Sequence, residues 1–254
     1  MNMKNNSTPK VVAMYRVKNE ERWIKKSIES IYDICSEIVV FDDASTDKTL
    51  EICSGFDKVV ETHQQSNDSF DEARDRTILL QMAIKRKPTI ILSLDGDEIF
   101  APNSENIIQD ELDIIYPDKQ VFEFEILTLW DKPDQIRYDG IFGNFWHKRM
   151  FRLTDKPVNL EISNSPYSGN LHCGSIPSSL SGFDFPVKSS AKIFHCASLD
   201  NNVRQRKYNW YRTMDPDNNM TDNYKHMIGP DGKFSGKHGY YFKKIPNELT
   251  YDLS

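Results

Sequence analysis

Two carboxylates separated by a single glycine close the most apolar stretch of the chain, where Ile90-Ile91-Leu92-Ser93-Leu94 runs into Asp95-Gly96-Asp97-Glu98. Paired oxygen donors of this kind suit a hard divalent ion, Mn2+ or Mg2+, which keeps several waters and takes phosphate oxygens. Gly96 lets the backbone turn tightly and approach a ligand. An Asp-x-Asp triplet alone is common in surface turns; the apolar strand before it points to the edge of an open sheet where ligands bind. Asp42-Asp43 follows a second apolar run and repeats the setting. A carboxylate there can accept a hydrogen bond from an imide N–H, which uracil has and cytosine lacks. The alternative use of these acids is to cap the following helix, a role open to Asp47 and Ser45 while one of the two reaches a ligand. Arg74 suits a phosphate or a base as well as it suits an exposed surface. Two further polar clusters, Arg16 to Asn19 and His63 to Asn67, follow strand patterns in the same way.

His172-Cys173 and His195-Cys196 offer donors that zinc favours. Adjacent residues of an extended chain point to opposite faces, however, and the Cys-x-x-Cys spacing is absent, so a four-ligand zinc site is disfavoured. No Gly-x-Ser-x-Gly, phosphate-loop or dinucleotide-binding glycine motif is present, which leaves serine hydrolase and dinucleotide oxidoreductase readings without support.

Positioning these residues requires strands alternating with helices. Val11 to Tyr15, Glu37 to Phe41, Val59-Val60 and Thr89 to Leu94 read as strands. Asn19 is placed to cap a helix bearing Ile24, Ile28, Ile31 and Cys35; Ser45 or Thr46 is placed to cap the next; and Ser69-Phe70-Asp71-Glu72 reads as a capping box for a third. The alternation predicts an α/β fold with a mostly parallel central sheet flanked by helices. After residue 100 the pattern changes to a helix around Glu105 to Ile115 and extended segments near Val121 to Trp130, Gln135 to Phe142 and Phe145 to Leu153. A loop-like stretch, Asn164 to Pro186, precedes a strand at Ala191 to His195, a helix near Asn201 to Arg212 and a Gly-rich tail. We read one domain over 1–254: an alternating half at 10–100, an extended, aromatic half at 101–200, and a C-terminal helix with a basic aromatic tail at 201–254.

Several of these segments, in order and spacing, resemble glycosyltransferase family 2, whose fold is the Rossmann-like GT-A type: Val11 to Glu21, Val39 to Thr49, Glu72-Ala73-Arg74-Asp75 and Leu92 to Glu98. The Asp-Gly-Asp-Glu-Ile-Phe run is similar to the subgroup whose metal triplet reads Asp-x-Asp-Glu before an apolar pair. Lys148-Arg149-Met150-Phe151-Arg152, Gly169-Asn170-Leu171-His172 and Ile193-Phe194-His195 resemble later elements of that subgroup more loosely. The resemblance implies that Asp43 recognises the base, flanked by Tyr15 and Arg16, with Arg74 near the nucleotide. It implies that Asp95 faces ribose and metal, that Asp97 binds the metal, and that His195 is a late metal or diphosphate ligand. In relatives a Glu often follows the Gly-x-x-His element; here Cys173 stands there, so no base is transferred from it.

The expected activity is a metal-dependent, inverting glycosyl transfer from a nucleotide-sugar, a UDP-sugar by the base argument, to a carbohydrate or glycoconjugate acceptor. Basic residues of the second half (Arg149, Arg152, Arg204 or Lys207) would assist, and Asp184 in the flexible loop is the chosen general base, with Asp139 and Glu161 competing. A non-catalytic nucleotide-sugar-binding module of the same fold is the alternative, and a metal-dependent phosphoesterase a third reading. The chain carries 32 basic and 38 acidic side chains, a net charge of −6, which gives no push toward nucleic acid. The segment 201–254 is nonetheless basic, with nine Lys/Arg against six Asp/Glu. Its aromatics suit closing over a donor, holding an acceptor, packing on the domain or peripheral contact with an anionic membrane. Sparse cysteines, a polar N-terminus and the lack of any apolar run near the roughly 18 residues of a membrane span lead to a cytoplasmic expectation.

Overall fold

The computed structural model describes residues 9–66, 70–116, 119–153, 160–164, 171–217, 221–229, 241–250 and 253. The first half alternates β1 (Val11–Val17), α1 (Ile24–Ile31), β2 (Glu37–Asp42), α2 (Thr49–Ser54), β3 (Val59–Gln64), α3 (Glu72–Lys85) and β4 (Ile90–Asp95). β1, β2 and β4 are buried along almost their whole length, as strands covered on both faces must be. They pair in parallel in the order β3-β2-β1-β4. Alternation along β1 sends Val11, Ala13 and Tyr15 to one face, under Ile24, Ile28 and Ile31 of α1. Val12 and Met14 face the other way, under Ala73, Leu79, Leu80 and Ala83 of α3. Register sets Arg16 beside Asp95 and Val17 beside Asp42, so the polar residues after each strand emerge along one edge.

Helix starts depart from expectation. Asn19 does not cap α1: it has a left-handed φ of 55°, and its side-chain oxygen accepts from the Thr46 backbone N–H. Asp47, not Ser45 or Thr46, closes the start of α2 by accepting from the Thr49 N–H. Asp71 caps α3 through the Arg74 N–H; Ser69 of the expected capping box lies outside the described residues. Each segment offers several short polar side chains, and tertiary contacts select among them.

The second half contains β5 (Glu98–Phe100), α4 (Ser104–Asp110) with a wider helical turn at Glu111–Ile115, β6 (Val121–Trp130), β7 (Lys132–Arg137), β8 (Trp146–Arg152), β9 (Val187–His195), α5 (Asn201–Met214) and β10 (Phe242–Lys244). β8 joins β4 antiparallel, and the sheet continues through β6 and β7 to β10. β9 pairs parallel with β6 and antiparallel with β5. The change of pattern near residue 100 is therefore a change of strand direction within one continuous mixed sheet. Among the described residues no helix is long and apolar enough to cross a membrane.

Candidate active site

β4 ends on Asp95, and the chain turns at Gly96 directly into β5. A β-carbon on Gly96 would lie 2.9 Å from Cγ of Glu20, so the missing side chain lets the loop after β1 close over the acidic turn. The β5–β9 ladder then sets Glu98 opposite His195. The Cys196 N–H donates to the Asp97 carbonyl at 2.9 Å. This ladder is the device that brings a residue from late in the chain to the turn: His195 Nε2 stands 3.6 Å from Asp97 Oδ2. From the other side α5 delivers Lys207, whose Nζ donates to the same Oδ2 at 2.8 Å.

Asp95 is gripped by two guanidiniums, Arg76 on Oδ1 and Arg149 on Oδ2, each at 2.8 Å. Arg149 also reaches the carboxylate of buried Glu98 and the hydroxyl of Ser175. Burial alone would raise the Asp95 carboxyl, but the two arginines outweigh it and hold it well below the carboxylate range. Asp97 behaves alike: burial opposes ionisation, and Lys207, then His195, lower its pKa. Burial lowers His195, against the pull of Asp97, which favours the neutral imidazole. Glu98, the most enclosed of the three acids, is pushed by burial up to about 7 despite Arg149.

A second cluster lies along the same edge. Buried Asp43 accepts from Arg16 Nη2 at 2.7 Å and from Gln65 Nε2 at 2.8 Å. Arg16 continues to buried Asp75 at 3.0 Å, and Arg74 joins Asp75 and Gln65, each at 2.6 Å. Asp42, the other acid of the doublet, is spent on the turn, accepting from the Ser45 N–H at 3.0 Å. Arg16, Asp43 and Arg74 are thus joined in one network through Asp75 and Gln65. Tyr15 is not part of this cluster: it is fully buried in the core and accepts from the Ser27 hydroxyl at 3.0 Å. Its position on β1 points it under α1, away from the edge, which corrects its expected place beside the base.

Beyond Asp95 opens a cavity of about 380 Å3 whose walls include Glu72, Arg76, His147, Arg149, His172 and Tyr211. The ring of His172 stacks on Tyr211 at 5.0 Å, and Tyr211 on Tyr224 at 5.0 Å. Asp184 does not line this cavity; it is exposed in its loop, one residue beyond Phe183, which does. Asp139 is committed to a two-point bond with buried Arg137, and Glu161 lines a separate cavity with Arg74. Arg152 and Arg204 also turn elsewhere, to the Leu112 carbonyl and to Asp131. Gly169, Asn170, Asn67 and Tyr240 lie outside the described residues. Sequence reasoning gave no site role to Glu72, Gln65 or Asp75 and did not name Arg76; the i, i+4 spacing of Glu72 and Arg76 on one helix face was the available signal.

A divalent ion would find two protein donors here, the Asp97 carboxylate and the imidazole of His195, whose neutral form leaves a lone pair for a metal. Among the described residues no three of His, Cys, Asp and Glu form a ready cluster. The remaining ligands would be water and phosphate, as hard cations prefer. The residues therefore fit such an ion, with Asp95 engaged by arginines on both oxygens rather than free to ligate. The two His-Cys sequences do not combine: Cys196 is packed in the core while Cys173 faces the cavity, burial raises both thiols, Cys173 to about 12, and all four cysteines are free.

A parallel α/β half that gathers acids at the carboxyl ends of its strands, extended by an antiparallel half, defines a protein of the GT-A class. A sequence model of glycosyl transferase family 2 matches residues 16–153, more than half of the chain, and the protein belongs to that family. No curated protein sequence matches it. Among solved structures, it is similar to S. aureus TarS 1-349 in complex with UDP, at 14% identity and a TM-score of 0.40 over 91% of this chain. It spans 60% of that polypeptide. Glucosyl-3-phosphoglycerate synthase from Mycobacterium tuberculosis, in complex with Mn2+, UDP and glucosyl-3-phosphoglycerate, is similar at 14% identity and a TM-score of 0.30. That match covers 48% of this chain and 45% of that one.

Proposed function

We propose that the chain transfers a sugar from a nucleoside diphosphate sugar, a UDP-sugar first, to an acceptor hydroxyl with inversion at the sugar carbon, using Mn2+ or Mg2+. One observation carries this reading: within the family match, the Asp43 cluster and the Asp95–Asp97 turn converge on one edge of the parallel strands, beside a cavity large enough for sugars. Asp43, oriented by Arg16 and Gln65, would accept the imide N–H of uracil. Asp95, fixed by Arg76 and Arg149, would face the ribose. Asp97 and His195 would hold the ion, which when bound supplies Lewis-acid neutralisation of the departing diphosphate. Arg149 would add fixed positive charge on the same side, and Lys207 a second cation within reach of the diphosphate. The base that takes the acceptor proton would be Glu72, the carboxylate other than Asp95 on the cavity wall. Its second oxygen accepts from the His172 N–H at 3.0 Å, which aims it beside the position where Cys173 replaces a carboxylate.

Incubation with a panel of UDP-sugars and Mn2+ should release UDP slowly, and faster with a suitable carbohydrate acceptor. Asp97→Asn should abolish both that release and the metal dependence of UDP binding. Tight UDP binding without release from any donor would replace the enzyme by a binding module. Release that continues undiminished in Asp97→Asn would remove the site.

A further inference from the structure

The acidic turn is already balanced by protein cations. Arg76 and Arg149 hold Asp95 at 2.8 Å, Arg149 also holds Glu98, and Lys207 holds Asp97 at 2.8 Å. A divalent ion therefore meets little uncompensated negative charge there. The three cations differ in how firmly they are fixed. Arg76 and Arg149 are buried, on α3 and on β8 within the sheet. The Lys207 side chain is 36% exposed, sits on a flexible stem, and belongs to α5, whose one buried residue is Arg204. Lys207 is the cation that can leave without dismantling the core.

Resting on the functional reading above, we propose that Lys207 couples metal binding to nucleotide binding. It occupies the Asp97 carboxylate when no nucleotide is bound, competes there with a divalent ion, and transfers its charge to the diphosphate when ion and donor arrive together. The reasoning is electrostatic. Two cations on one carboxylate repel each other at short range, so the ion must drive the ammonium away. A diphosphate supplies new acceptors for it and converts that loss into a gain. Such coupling is reciprocal, because whatever UDP does to ion affinity the ion does to UDP affinity.

The test uses the full chain, with Mn2+ binding followed by the electron paramagnetic resonance of the free ion and UDP binding by calorimetry. In the wild type, saturating UDP should tighten Mn2+ by about tenfold or more. Lys207→Met should bind Mn2+ alone about tenfold more tightly than wild type and lose most of the UDP enhancement; Lys207→Arg should restore both. Lys207→Gln serves should the methionine variant fail to fold. Unchanged Mn2+ affinity and unchanged UDP enhancement in a folded, uncharged variant would overturn the role of Lys207 alone. Equal Mn2+ binding with and without UDP in the wild type would do the same. A wild-type protein that binds no uridine nucleotide, with or without Mn2+, would overturn the functional reading itself.

Discussion

Asp43 shares its two oxygens between Arg16 and Gln65, so its geometry is set before any nucleotide arrives. Asp43→Ala should weaken UDP binding by about 10–100-fold, the usual cost of one lost hydrogen bond to a charged group. Arg16 keeps its bond to Asp75, so thermal stability should fall little, and Asp43→Asn, which retains an acceptor oxygen, should recover part of the affinity. His147, on the cavity wall, gives a pH signature. Burial first, then Arg149, depresses it from 6.5 to about 3. Between those values the unfolded chain binds a proton that the native state refuses, so the stability His147 contributes is full above 6.5 and is lost as pH falls toward 3. His147→Phe should flatten that part of the acid limb in melts recorded across the same range. An unaltered slope would show that the imidazole does not titrate this way. The acids at strand ends could be read from type and spacing alone. Tyr15 could not: its neighbour Arg16 points to the edge, and a shift of one residue along a strand exchanges the edge for the core.

The apolar runs of β1, β2 and β4 are read as buried strands from sequence because they are short, rich in Val and Ile, and separated by amphipathic helical segments. Helix ends were less readable. Asp42, Ser45, Thr46 and Asp47 lie within six residues, and each can cap; the packing of the loop after β1 decides that Asp42 serves the turn and Asp47 the helix. α5 has an unambiguous cap, Asp200, which accepts from the Asn202 and Val203 N–H groups and also meets Arg22 at 3.0 Å. Asp200→Ala should loosen the first turn of α5. Amide exchange should quicken at the start of α5 while amides of β1 and β4 stay protected. Protection lost equally throughout the protein would mean that α5 does not fray independently.

A molecule built as one continuous sheet should respond as a unit to ligands gathered at its edge. UDP with Mn2+ at about 100 times its dissociation constant should add roughly 2.7 kcal/mol of stability. For a chain of this size that is a rise in Tm of about 5–10 °C, reversed by a chelator to the extent that the ion contributes. No shift with UDP, with or without Mn2+, would deny the nucleotide site. Periodicity and composition were enough to establish the alternating first half and the acids Asp43, Asp95 and Asp97 at strand ends, because local patterning dictates which strands are buried and where their polar ends must lie. They could not decide which distant side chains meet those acids. Arg76, Arg149, His195 and Lys207 come from α3, β8, β9 and α5, and only the antiparallel β5–β9 and β4–β8 ladders and the docking of α5 select them over Arg152 and Arg204. Charges find their partners through space, and the path of the folded chain, not its order of residues, sets those distances.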